Sequence, residues 1–179
     1  EYPAGRPVWM SKYIEKPIAN PMDFGPDVRP YPRGKIPGGG NMAFRRSEVA
    51  RYGGFDPSLG RTNDRPIGGE DTDFFARLVR GGVTLWYVPD AVIWHIIPPE
   101  KLTEGYFRRL CYNVGVSQRM QACKRCRYVG ALLSEAAKWG VTLLLALTMS
   151  PRKARWLLLM RREISYGLLG DCLRGKSKV

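Results

Sequence analysis

Apolar positions change their spacing along the chain, and the changes divide it. Residues 1–37 hold eight of the 14 prolines. Because proline fixes φ and removes a ladder donor, this stretch predicts a loop-rich segment wrapped on a body, with one short helix around Trp9–Ile14. From 38 to 100 the apolar runs are short. They predict a strand over Met42–Phe44, then a helix capped by Ser47 and stopped by Gly53-Gly54. A further helix is expected from Asp71 to about Arg80, with Phe74 above Leu78 and Phe75 above Val79 at the four-residue interval, and with Gly81-Gly82 at its end. Strands are expected at Thr84–Val88 and Ala91–His95, on either side of the Pro89-Asp90 turn. Beyond Leu102 the pattern is helical: Leu102–Lys124, Tyr128–Met149, and Arg152–Leu169 opened by Ser150-Pro151.

Composition sharpens this division. The 179 residues are 44% apolar and 25% charged, which describes about one globular domain. The net charge of +13 is uneven: residues 1–100 hold 13 basic and 12 acidic side chains, whereas 101–179 hold 16 and 4. A neutral body, 1–100, therefore carries a cationic helical tail, 101–179, suited to an anionic surface. The basic stretches are helical and alternate with leucine runs, and they lack the interleaved aromatics of a nucleic-acid groove. Arg152, Lys153 and Arg155 precede Trp156 and Leu157-Leu158-Leu159-Met160, a pairing that fits acidic headgroups over an apolar layer. The longest uncharged run, Trp139–Pro151, is 13 residues, short of the roughly 20 that span a bilayer, so peripheral attachment is expected. Of Cys111, Cys123, Cys126 and Cys172, only Cys123 and Cys126 have a metal-like spacing. A zinc site needs about four ligands, which favours reduced intracellular thiols. No basic start or apolar segment of a signal peptide opens the chain, and without an initiator methionine it reads as a piece of something longer.

Candidate chemistry gathers at three places. Gly68-Gly69-Glu70-Asp71-Thr72-Asp73 crowds three carboxylates into the first turn of a helix. The positive end of that helix favours negative charge, so each could be a simple capping residue. Neighbours on a helix diverge while i and i+3 share a face, so Glu70 and Asp71 cannot serve one atom, and two roles are available. Asp73 reads as capping. The run Gly38-Gly39-Gly40-Asn41 offers either a plain turn or a backbone lying close to substrate, with Asn41 adding an amide. His95, the one histidine, ends an apolar run at an expected sheet rim, where open α/β proteins place ligands.

In this order, across roughly residues 20–110, the three segments resemble the C-terminal half of a family 2 glycosyltransferase catalytic domain. The resemblance implies an α/β, partial A-type glycosyltransferase (nucleotide-diphospho-sugar transferase) fold with a C-terminal helical extension. It implies transfer of a sugar from a nucleotide-sugar donor to a glycan or lipid-linked acceptor hydroxyl, with inversion, in polysaccharide, cell-surface glycan or glycolipid synthesis. Asp71 then matches the catalytic base, and Glu70, Asn41 and Gly40 bind substrate. His95 ligates the Mn²⁺ or Mg²⁺ of the diphosphate, imidazole suiting Mn²⁺ better. The family's nucleotide-binding half, with its DxD carboxylates, would lie upstream of Glu1. Asp71-Thr72-Asp73 has that spelling but occupies the base position. These residues alone are accordingly expected to be inactive. The QxxRW motif of processive members is missing, since Gln118-Arg119-Met120-Gln121 and Gln121-Ala122-Cys123-Lys124-Arg125 both fail it, which favours single-residue transfer. The helical tail would sit peripherally on the cytoplasmic face of an anionic membrane. The alternative is a non-catalytic basic module that binds nucleic acid or a partner protein.

Overall fold

A computed structural model describes residues 1–3, 5–60, 69–124 and 126–170. Its elements in chain order are α1 (Lys12–Ala19), β1 (Arg29–Pro30), α2 (Arg46–Tyr52), α3 (Glu70–Arg80), β2 (Trp86–Tyr87), a 3₁₀ turn (Pro99–Leu102), α4 (Glu104–Lys124), α5 (Tyr128–Leu147) and α6 (Pro151–Leu169). They group into two units. A helical unit takes Glu1–Asn20 and His95 onward, and a loop unit takes Pro21–Trp94.

In the helical unit α4 and α6 touch backbone to backbone. A Cβ on Gly115 would collide with the carbonyl of Ile164, and one on Gly167 with the carbonyl of Tyr112. Only glycine lets two helix axes approach so closely. Around this crossing lie Phe107, Leu110, Cys111, Trp156, Leu157, Met160 and Ile164, with Met10, Ile14 and Ile18 of the N-terminal segment packed into the same core. The Trp9 ring stacks on Trp156 at 3.8 Å and 6°. Burial of Ile14 and Ile18, four residues apart, carries α1 through Pro17 to Ala19, past the Trp9–Ile14 limit that proline suggested. Apolar surroundings push the Cys111 thiol up to about 12, so it is a packing residue rather than a nucleophile.

α5 is built with its polarity inverted. Glu135 and Thr142 are buried, whereas Val129, Leu133, Val141, Leu144 and Leu147 are each more than half exposed. Burying a carboxylate is costly unless it is paired and hydrogen-bonded. Here Arg161 Nη1 donates to both Glu135 oxygens at 3.2 and 3.1 Å, and Ser165 Oγ to Oε1 at 2.9 Å. Arg161 Nε reaches Thr142 Oγ1 at 3.3 Å, and the Trp139 indole donates to Ser165 at 2.9 Å.

In the loop unit Phe74, Phe75 and Leu78 of α3 form the buried centre, joined by Ile36, Met42, Val49, Tyr52, Val83 and Leu85. Val79, expected to stack beneath Phe75, is instead 52% exposed, because α3 buries a single stripe. α3 closes with the Val83 N–H on Leu78 O and the Gly82 N–H on Val79 O, the Schellman pattern that leaves Gly82 left-handed. α2 begins two residues earlier than expected, at Arg46 after Arg45, so Ser47 lies inside the helix and does not cap it. Among the described residues the one sheet is a two-residue antiparallel pair, Arg29 opposite Tyr87 and Pro30 opposite Trp86. The strands expected at Met42–Phe44 and Ala91–His95 do not form, and that at Thr84–Val88 shrinks to Trp86–Tyr87. The described part is therefore mostly helical rather than an α/β sheet: apolar alternation makes a strand only where another strand offers a ladder.

Candidate functional site

The acid cluster sits where it was expected, in the first turn of α3, with Glu70, Asp71 and Asp73 at the helix start. Gly69 precedes them at φ +116°, a left-handed conformation that glycine adopts without cost. Gly68 lies outside the described residues, as do the other residues from 61 to 67. This turn folds Glu70 back, so that its Oε2 accepts the Gly69 N–H at 2.9 Å. The same carboxylate lies under Gly60, where a Cβ would stand 3.7 Å away.

Asp71 is oriented from two sides. Its Oδ1 accepts the Thr72 N–H at 2.6 Å and the Thr72 hydroxyl at 3.3 Å. Its Oδ2 accepts the N–H of Gly39 at 3.1 Å, across 32 residues of sequence. A Cβ at Gly39 would be only 3.4 Å from that oxygen. A carboxylate oxygen has two lone pairs, so Oδ2, with one donor, keeps capacity for a proton, while Oδ1 already holds two donors. Half-buried and fixed at both oxygens, Asp71 can present one lone pair in one direction.

The glycine loop is tied at its other end as well. Asn41 Nδ2 donates to Ala91 O at 2.6 Å, and its backbone N–H to Gly38 O at 3.2 Å. The Asn41 amide nitrogen thus holds the loop, and the exposed side chain retains a carbonyl oxygen able to accept a hydrogen bond. Gly40 is exposed, and a Cβ there would make ordinary contact with Ile93 at 3.6 Å. Gly39, Gly40, Asn41, Glu70 and Asp71 all belong to the loop unit, whereas His95 belongs to the helical unit. Its Nδ1 lies 3.3 Å from Ala19 O, and its backbone carbonyl accepts the N-terminal ammonium of Glu1 at 2.7 Å. A Nδ1 proton given to the Ala19 carbonyl would leave the Nε2 lone pair available, the tautomer that a metal-binding histidine uses. Among the described residues no group of three His, Cys, Asp or Glu side chains could hold a metal ion. One imidazole is what this part of the chain offers.

Asp73 has different work. It accepts from Arg77 Nε at 3.0 Å, one turn on. Arg77 in turn donates to the carbonyls of Tyr52, Gly53 and Gly54 at the end of α2, and its guanidinium lies 5.4 Å from the Phe74 ring centroid. Charge-assisted bonds contribute about 1.5–3 kcal/mol each, so Arg77→Ala is expected to lower stability by about 2–3 kcal/mol in a urea melt. Asp73→Asn, which keeps an acceptor, should cost less than half of that.

Sequence reasoning found the acids but missed the donors that orient Asp71. Thr72 is legible in retrospect as the adjacent hydroxyl. Gly39 is not, because it acts through a backbone N–H that every non-proline residue possesses.

A family model described as glycosyl transferase family group 2 matches residues 28–169. No curated protein and no solved structure matches the chain.

Proposed function

This chain belongs to glycosyl transferase family group 2, whose business is sugar transfer between a donor and an acceptor, and from that membership we propose that Asp71 is the general base of an inverting, non-processive transfer. The carrying observation is the Gly39 N–H bound to Asp71 Oδ2, which joins the glycine loop to the acid turn. Asp71 takes the proton of the acceptor hydroxyl as that oxygen attacks the anomeric carbon of a nucleotide-sugar donor. The bond from anomeric carbon to diphosphate oxygen breaks, and the diphosphate leaves. Glu70 orients sugar or acceptor hydroxyls, while Gly40 and the Asn41 carbonyl line the approach. One displacement inverts the anomeric centre. Proton NMR of the first-formed product checks this: a donor with an axial leaving group should yield an equatorial product, and retention of configuration would overturn the single-base reading.

His95 is the residue proposed to meet the Mn²⁺ or Mg²⁺ that neutralises the diphosphate. It fills one position of a roughly six-coordinate shell, so it tunes metal affinity without creating it. In the form of the protein that transfers sugar, His95→Ala should raise the Mn²⁺ needed for half-maximal activity about tenfold, with little change in melting temperature, as for loss of one ligand. An unchanged metal requirement together with a large drop in melting temperature would make His95 a structural residue.

The cationic helices are proposed to hold the protein on the cytoplasmic face of an anionic membrane, near glycan or lipid-linked acceptors. One observation favours a deeper seat. α5 is 20 residues long and apolar enough to cross a bilayer, and its Glu135 is turned to Arg161 of α6. The 13-residue uncharged run therefore understates its apolar face. Release by alkaline carbonate supports peripheral attachment, and retention supports insertion of α5.

A further inference from the structure

The helical unit contains a second feature, unconnected with Asp71. α4, α5 and α6 leave a cleft of about 750 Å³ between Arg108, Arg155, Arg162, Trp139, Leu158 and Leu159. That volume is in the range of small-molecule sites. Its lining combines three arginines and one carboxylate, Glu104, with an apolar part that includes Trp139, Leu158 and Leu159.

Two of the three guanidiniums are fixed from behind. Glu163 is 1% exposed, and its Oε1 accepts Arg108 Nε at 3.0 Å and Arg162 Nη2 at 2.9 Å. A guanidinium has five N–H donors, so one bond to Glu163 aims each arginine without exhausting it. Arg155 reaches Glu104 at 2.7 Å with its side chain 66% exposed, an ion pair that solvent already weakens. The three guanidiniums of the lining thus meet two carboxylates, Glu104 and Glu163, which leaves one net positive charge at the cleft. Arginine forks match phosphate oxygens in pairs.

The apolar part selects among phosphates. Trp139 brings α5 into the lining, and the next residues, Gly140 and Val141, lie on the exposed face that carries Leu144 and Leu147. That face has one charge, Lys138, which is itself 3.7 Å from Glu135. A free anion or a nucleic-acid phosphate would leave the leucines uncovered.

We propose that this cleft binds the phosphate headgroup of an anionic lipid, whose chains lie along the outer face of α5. The inference rests on the proposed membrane seat of the cationic helices, to which it adds a specific lipid site, and it stands whether or not Asp71 is the base.

The test is calorimetric titration of the full chain, in a non-ionic detergent, with dihexanoyl phosphatidic acid, inorganic phosphate and dihexanoyl phosphatidylcholine. Phosphatidic acid should bind at least about tenfold tighter than either of the others, because it alone combines a terminal phosphate of net negative charge with the chains. The double variant Arg155→Gln/Arg162→Gln should lose about tenfold or more, as expected for lost charge-assisted bonds, while Lys101→Gln/Arg109→Gln, which removes the same charge outside the lining, should change affinity less than about threefold. Arg108 stays in place to hold Glu163, and circular dichroism checks the fold. If the glutamine pair melts early, Arg155→Lys/Arg162→Lys keeps the charge and loses the fork, and should still weaken binding at least about threefold. Equal binding of inorganic phosphate would show a free-anion site, and equal binding of phosphatidylcholine an uncharged groove. Equal loss in the two glutamine variants would show diffuse attraction. Each of these, or no phosphatidic acid binding at millimolar concentration, overturns the proposal.

Discussion

In the form of the protein that transfers sugar, replacing Asp71 with Asn is expected to lower the rate by about 10² to 10⁴, the usual contribution of a positioned general base. The change keeps the side chain's size and removes its proton affinity. Donor binding should be nearly intact, so the loss should fall on kcat. The hydrogen bonds around Asp71 add a structural cost that can be separated from the kinetic one. Its two oxygens accept from Thr72 and from Gly39. An asparagine offers one oxygen, so whichever donor meets the new NH₂ loses its acceptor. An unpaired donor that is partly solvated costs about 1 kcal/mol or less, visible as a small fall in melting temperature. Asp71→Ala loses both acceptances and should be less stable, yet no slower than the asparagine variant. Turnover above about a tenth of wild type in Asp71→Asn would remove Asp71 from the role of base. Glu70→Gln should spare the chemistry more and raise KM, because its carboxylate is folded onto Gly69 rather than held by the glycine loop.

The largest stability effect is expected at the crossing of α4 and α6. Gly115→Val places its side chain against the Ile164 carbonyl, a backbone atom that moves only with its helix. Overpacking a close-packed site typically costs about 1–3 kcal/mol, and a clash with main chain belongs at or above the top of that range. Gly167→Val should act alike, since its Cβ meets the Tyr112 carbonyl from the other side. The two residues share one contact, so the double variant should be less destabilised than the sum of the singles. Gly130→Ala and Gly140→Ala are the internal controls. Nothing lies within 4 Å of a Cβ at either position of α5, and alanine in a helix interior should stabilise by about 0.5–1 kcal/mol. Denaturant melts of the four single variants and the double variant decide the matter. If Gly115→Val melts within error of the parent, the helices do not cross as closely as described.

The chain's local signals were legible to within a few residues. α3 begins at Glu70 and ends at Arg80, and α4, α5 and α6 start and stop within two residues of the boundaries that caps, glycines and spacing indicate. Those signals act inside about one turn, so sequence carries them directly. The crowding of Glu70, Asp71 and Asp73 at a helix start was equally local, and so was the split between a near-neutral front and a cationic back. What needed the fold is everything that joins distant residues. The N–H of Gly39 reaches Asp71 across 32 positions through an atom with no side-chain identity. Pro17 stays helical because Ile14 and Ile18 find a core made by α4 and α6. Glu135 counts against a membrane helix by composition, but pairing with Arg161, 26 residues away, turns that charge inward and leaves leucines outside. Strand alternation at Met42–Phe44 and Ala91–His95 likewise stayed only a propensity, because a ladder exists between two strands and belongs to neither alone.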